Sequence, residues 1–113
     1  LNVVFDQIGS PTYANDLALA IINIIPQCLT MSNVKIYHYS SEGVCSWYDF
    51  AKKIIEYTEI TCQIKPVKSS EYKTKAHRPF YSVFDKSKIK TDFNIQIPYW
   101  QDSLKKCINI LHG

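Results

Sequence analysis

Glycine is scarce in this 113-residue chain: Gly9, Gly43 and Gly113 are all it has. A G-x-G-x-x-G dinucleotide turn or a P-loop needs several glycines at close spacing, so that backbone can approach phosphate, and neither can be built here. Nucleophile-elbow patterns of the G-x-S-x-G type are missing as well. Cys28, Cys45, Cys62 and Cys107 form no C-x-x-C and no close Cys–His pair, which removes the usual zinc spacings. Four cysteines could pair, but without a secretory leader, and with a core this large, free buried thiols are expected. The N-terminus has neither a basic segment nor a small-residue cleavage site, so no signal peptide and a cytoplasmic setting are expected. The longest apolar run, Leu17 to Ile25, is bracketed by Asp16 and Pro26 and is too short for a membrane span. Arginine is nearly absent too. Arg78 is the single arginine among 13 cationic residues, and the lysines are scattered, which argues against a nucleic-acid surface. The formal net charge of +3 would suit a phosphorylated small ligand.

What is present is globular in character. Hydrophobic residues make up 46% and aromatics 13%, and the length suits one domain with one core, residues 1–113. Val3 to Phe5 predicts a strand, and Gly9-Ser10-Pro11 a turn. Ala14 to Ile25 predicts a helix with Leu17, Ala18, Ile21, Ile22 and Ile25 on its apolar side and Pro26 ending it. Because the chain opens directly inside this strand–turn–helix unit, it is expected to be a piece of something larger. Val34 to Tyr39 alternates with bulky groups on both faces, which predicts a sheet-central strand. Ser46-Trp47-Tyr48-Asp49 has the form of a capping box, with Asp in place of the longer Glu, opening a helix to about Glu56. That helix presents Phe50, Ala51, Ile54 and Ile55. Gln63 to Val67 predicts a short strand, at an edge or end because of Pro66. Ser69 to Ala76 is polar and aperiodic, the longest loop. Tyr81 to Phe84 predicts a brief strand, and Asp85 caps a short helix to Phe93. A final helix from Trp100 to Leu111 carries Trp100, Leu104, Cys107, Ile108 and Leu111 on one side. Alternating strands and helices give an α/β class.

Candidate chemistry is sparse. His38 lies mid-strand beside aromatics and is expected in the core, while His77 neighbours Arg78 in a loop. Tyr48 and Lys52 have Tyr-x-x-x-Lys spacing on one helical face, but no cofactor loop precedes them, and the match is expected to be chance. Arg78 has two readings. Its planar fork of donors, held extended by Pro79, can clamp phosphate oxygens, or it can pair with a carboxylate. Asp6, Gln7, Ser10 and Thr12 cluster polar atoms at a strand end. Open α/β sheets bind ligands there, yet a self-bonded turn would look the same.

The order of motifs adds to this reading. Asp6-Gln-Ile-Gly-Ser-Pro-Thr-Tyr13 with Asp16-Leu-Ala18 closely resembles a strand–helix motif of the dTDP-4-dehydrorhamnose reductases, which are extended short-chain dehydrogenases/reductases. So do Ile36-Tyr-His-Tyr-Ser40, Glu42-Gly-Val-Cys-Ser-Trp-Tyr-Asp-Phe-Ala51, Ala76-x-Arg-Pro79, Tyr81-Ser-Val-x-Asp85-Lys-Ser-Lys88 and Ile97-Pro-x-Trp-x-x-Ser-Leu104. The resemblance covers the whole chain, but only the C-terminal part of the family. It implies the substrate-binding lobe of an NAD(P)-binding Rossmann-type enzyme, with short strands and about four helices. By the same resemblance, the cofactor (NADPH or NADH) and the catalytic Tyr-x-x-x-Lys belong to an absent N-terminal Rossmann domain. The family reduces the 4-keto group of dTDP-4-dehydro-L-rhamnose to give dTDP-L-rhamnose, with hydride from the cofactor and a proton from that tyrosine. This lobe alone is then expected to be inactive. Carried over, Asp6, Gln7, Ser10 and Thr12 would lie near the cleft for the dTDP-sugar, and Arg78 would face the pyrophosphate. The magnesium ligands of some members cannot be placed on this chain. A homodimer is compatible with the family. The methionine adenosyltransferase β subunit, a regulatory partner protein, shares the architecture and is the alternative parent. The Trp-Tyr-Asp-Phe-Ala helix start and the Glu-Gly-Val pattern favour the reductase.

Overall fold

The computed structural model describes residues 1–112. Two small sheets, four α-helices and a short 3₁₀ turn (Ser69–Glu71) are the regular elements of the described residues, an α/β arrangement. Strand β1 (Asn2–Val4) pairs in parallel with β4 (Lys65–Val67), matching Val3 to Pro66 and Val4 to Val67. Proline offers no ladder N–H, and a two-stranded sheet is a place where one can be spared. The second sheet has the order β3-β2-β5, from Cys45–Ser46, Ile8–Gly9 and Tyr81–Ser82. Its central strand β2 runs antiparallel to β3 and parallel to β5.

Helix α1 (Ala14–Cys28) runs past the predicted stop at Pro26. Pro26 has no amide for the Ile22 carbonyl, so one ladder bond goes unmade; the helix nevertheless closes beyond it, where the Leu29 amide donates to the Ile25 carbonyl at 3.3 Å. Helix α2 (Trp47–Thr58) opens on the predicted capping box. Ser46 Oγ accepts from the Asp49 amide at 3.0 Å, and Asp49 Oδ2 accepts from the Ser46 amide at 3.0 Å and the Ser46 hydroxyl at 2.6 Å. The shorter aspartate therefore suffices. Helix α3 (Ser87–Phe93) starts two residues beyond Asp85, whose Oδ1 accepts from the Ser87 amide at 2.8 Å. Helix α4 (Trp100–His112) packs Trp100, Leu104 and Ile108 with Cys45 against Phe50, Ile54 and Tyr57 of α2. Leu111, expected on that face, is exposed. The Ser103 hydroxyl donates to the buried Asp16 carboxylate and ties α4 to α1.

Three further expectations are overturned. Residues 34–39 form no ladder; Val34 is 98% and Ile36 73% exposed. Alternation favours an extended backbone, but a strand also needs a neighbour, and none lies beside this segment among the described residues. His38 is consequently not in the core: it is exposed and stacks on Phe84 with centroids 5.0 Å apart. On α1 the buried residues are Asp16 and Ala20, whereas Leu19, Ile21, Ile22 and Ile25 stay exposed. The shape matches this incomplete burial. The radius of gyration is 16.8 Å, with extents of 51 × 37 × 20 Å, against about 13 Å for a compact chain near this length.

Candidate functional site

Strand β2 lies at the centre of a cleft of about 220 Å³. Gln7, Gly9 and Ser10 form its floor, Ser46 and Trp47 one wall, and Arg78 with Pro79 the other. Local chemistry explains each placement. The capping box fixes Ser46 and turns Trp47 outward at the first helical position, where it is 53% exposed. The β2–β5 ladder and an Ile8 amide bond to the Phe80 carbonyl at 2.8 Å bring the segment after Arg78 alongside β2. Gly9 sits where an added Cβ would meet Ser82 Oγ at 3.4 Å, an ordinary contact. Its neighbour Ser10 is committed: its hydroxyl donates to the Gly43 carbonyl at 2.7 Å.

Of the five candidate residues, the structure brings three together. Arg78, Gln7 and Ser10 line the one cleft. Thr12 does not line it. Its hydroxyl donates to the Ser10 carbonyl at 3.3 Å, and it borders a separate apolar hollow with Phe50, Trp100 and Leu104. Asp6 does not line it either. Its carboxylate accepts from the Ser69 hydroxyl at 2.6 Å and from the Ser69 amide at 2.9 and 3.1 Å. The hydroxyl bond, reinforced by the backbone bond, holds the Asp6 carboxyl below its ordinary range.

Arg78 is exposed, and among the described residues it joins no ion pair. The paired carboxylates are Glu56, with Lys53, and Glu42, with Lys86 and Lys90. Its five donors are therefore open to a ligand in the cleft and in the adjoining hollow that it shares with Gln7 and Trp47. Neither Tyr48 nor Lys52 lines the cleft, although both sit on α2. His77 packs edge-on to Phe80 at 6.5 Å.

Cys45, Trp47 and Ser69 were not visible as site residues in the sequence. Trp47 had no distinguishing signal: three residues before Phe50 and seven before Ile54, it falls on the apolar stripe of α2, and spacing alone assigns it to the core. Ser69 had none, because its partners lie 62 and 63 residues away. The Cys45 thiol reaches the cleft but is pushed up to about 11, by burial first and by the Asp49 charge second. It is a neutral wall there, not a nucleophile. The cleft thus offers a guanidinium, an amide and an aromatic face, a set suited to gripping an anionic ligand.

Known proteins are similar to this chain in sequence and fold. Residues 1–112 match the family described as RmlD substrate binding domain. The spore coat polysaccharide biosynthesis protein SpsK of Bacillus subtilis is 41% identical over 94% of this chain and 35% of its own length. The dTDP-4-dehydrorhamnose reductase of Sinorhizobium fredii is 36% identical over 96% of this chain and 39% of its own. The crystal structure of a dTDP-4-dehydrorhamnose reductase from Clostridium acetobutylicum superposes with a TM-score of 0.88 at 34% identity, covering 100% of this chain and 39% of that one. The Bacillus anthracis reductase, solved in complex with NADP, gives a TM-score of 0.82 at 39% identity, covering 94% of this chain and 36% of that one. The chain therefore spans well under half the length of these relatives. With that match along 1–112, the chain belongs to the RmlD substrate-binding domain family.

Proposed function

We propose that this chain forms the sugar-nucleotide-binding part of a dTDP-4-dehydrorhamnose reductase, an oxidoreductase. The observation that carries the reading is the cleft of about 220 Å³ walled by an arginine that no carboxylate of the described residues neutralises. A diphosphate would supply that arginine's partner. The guanidinium fork takes two phosphate oxygens, and the exposed Trp47 face offers a platform for a ring. The named relatives and solved reductases support the same reading.

The residues present do not fit a dinucleotide. The β2–α1 junction, Gly9-Ser10-Pro11-Thr12-Tyr13, has one glycine and a proline where a phosphate-binding turn needs several open backbone amides. The role of this chain is therefore to bind and orient. In this reading a separate cofactor half completes the enzyme. The exposed apolar side chains of α1 (Leu19, Ile21, Ile22, Ile25), with Val34 and Ile36, are the surface it would cover, since exposed apolar groups of this extent mark an interface.

Turnover tests this directly. The complete gene product containing this sequence should consume NADPH when given dTDP-4-dehydro-L-rhamnose, and the 113-residue chain alone should not. Reduction by the isolated chain, or none by the complete product, would overturn the proposal.

A further inference from the structure

The hydrogen bonds around Ser69 settle which way the Gln7 amide faces. Ser69 has a single hydroxyl proton, and at 2.6 Å it goes to Asp6 Oδ1. An ionised carboxylate accepts and never donates, so that direction is fixed. The Ser69 amide donates to the same carboxylate at 2.9 and 3.1 Å. With its proton spent, Ser69 Oγ can only accept from Gln7, and Gln7 Nε2 donates to it at 2.9 Å. The Gln7 carbonyl oxygen Oε1 is left without a partner among the described residues, on a side chain that lines the cleft beside Arg78. The lowered carboxyl of Asp6 keeps this polarity at neutral pH.

We propose that Gln7 Oε1 is a ligand-facing hydrogen-bond acceptor, oriented by the Asp6–Ser69 pair, which selects for a donor group (a sugar hydroxyl or the nucleobase N–H) on the bound sugar nucleotide. Asp6 and Ser69 are positioning residues that act through Gln7. The inference rests on the sugar-nucleotide reading for the identity of the ligand, but the amide orientation stands independently of it. A turned-over amide would present Nε2 to the ligand's donor, setting donor against donor, whereas the observed orientation rejects a ligand lacking that donor.

The informative substitution is Asp6→Asn. An asparagine amide can donate to Ser69 Oγ, which frees the serine proton for Gln7 Oε1 and reverses the Gln7 amide. Binding of dTDP-L-rhamnose and of dTDP to the complete gene product would be titrated for the parent, Asp6→Asn, Gln7→Ala and the double variant. Asp6→Asn and Gln7→Ala should each weaken dTDP-L-rhamnose about tenfold, with no further loss when combined. Loss confined to dTDP-L-rhamnose identifies a sugar hydroxyl as the donor; loss with both ligands identifies the nucleotide. Additive losses, or no loss from either variant while Arg78→Ala does weaken binding, would overturn the inference and leave the sugar-nucleotide reading intact. If no dTDP compound binds, that reading fails instead. The ¹⁵N signals of the Gln7 side-chain amide, recorded without ligand, then decide: a shift on Asp6→Asn supports the orientation, and an unmoved signal overturns it.

Discussion

Gly43→Ala is the substitution for which the structure sets the sharpest magnitude. Gly43 has φ +79°, in the left-handed region, and an added Cβ would lie 2.3 and 2.6 Å from Tyr99 Cε2 and Cζ and 2.9 Å from Trp100 Cδ1. The Tyr99 ring, 44% exposed, can turn toward solvent, but the Trp100 ring cannot swing aside cheaply. Trp100 is 3% exposed, in the α2–α4 core, and the backbones on either side are bonded together, Glu42 amide to Pro98 carbonyl and Trp100 amide to Glu42 carbonyl. A left-handed alanine costs about 1 kcal/mol, and overpacking a tight site another 1–3, so the loss should be about 3 kcal/mol. Gly9→Ala is the control. Its Cβ would meet only Ser82 atoms at 3.4 and 3.8 Å, and the change should stay within about 1 kcal/mol of the parent. Urea unfolding of the complete gene product, followed by near-ultraviolet circular dichroism, measures both. The Gly43 variant should also lose ligand affinity, because the Gly43 carbonyl anchors the Ser10 hydroxyl of the cleft floor. Equal losses at the two glycines would refute the packing argument.

Further outcomes follow from the side-chain chemistry. With its thiol near 11, Cys45 is about one part in a thousand thiolate at pH 8, so a thiol reagent should modify the exposed Cys28 first and Cys45 only on unfolding. Mass spectrometry of the labelled peptides checks the order. Glu42 is held below its ordinary 4.5, first by the Lys90 ammonium bond and then by Lys86. Because the folded-state value is the lower one, this stabilisation is present above pH 4.5 and lost as pH falls through the lowered value. Glu42→Gln should therefore lower Tm at neutral pH and shrink the parent's loss of Tm on acidification; a parallel acid limb in the variant would contradict the assignment.

Sequence patterns were most legible where the physics is local. The Ser46–Asp49 box, the α2 stripe and the Trp100, Leu104 and Ile108 part of the α4 stripe depend on partners within a few residues, and they appear; α3 also starts near Asp85, although Lys86 and not Asp85 is its N-cap residue. Pairing across the chain was not legible. The match of β1 to β4 joins residues about sixty apart, and Ser69 meets Asp6 over a similar separation. The Val34–Tyr39 segment shows the converse failure. Its alternation describes a backbone ready to pair, but pairing depends on a neighbour that no periodicity within the segment can reveal. The α1 stripe failed similarly: Ile21, Ile22 and Ile25 are apolar at helical spacing, yet nothing among the described residues covers them. At the candidate site, Arg78, Gln7 and Ser10, singled out in the sequence for their chemistry, line one cleft. That Arg78 joins no ion pair among the described residues became visible only with the three-dimensional placement of the carboxylates.

The central claim is that Arg78 grips the diphosphate of a sugar nucleotide, and calorimetric titration of dTDP into the complete gene product tests it most directly. Loss of a charge-assisted, two-pronged contact of about 2 kcal/mol should weaken Arg78→Ala about thirtyfold, and Arg78→Lys should recover part of that by restoring charge without the fork. An affinity for dTDP that is the same in Arg78→Ala as in the parent would contradict the account.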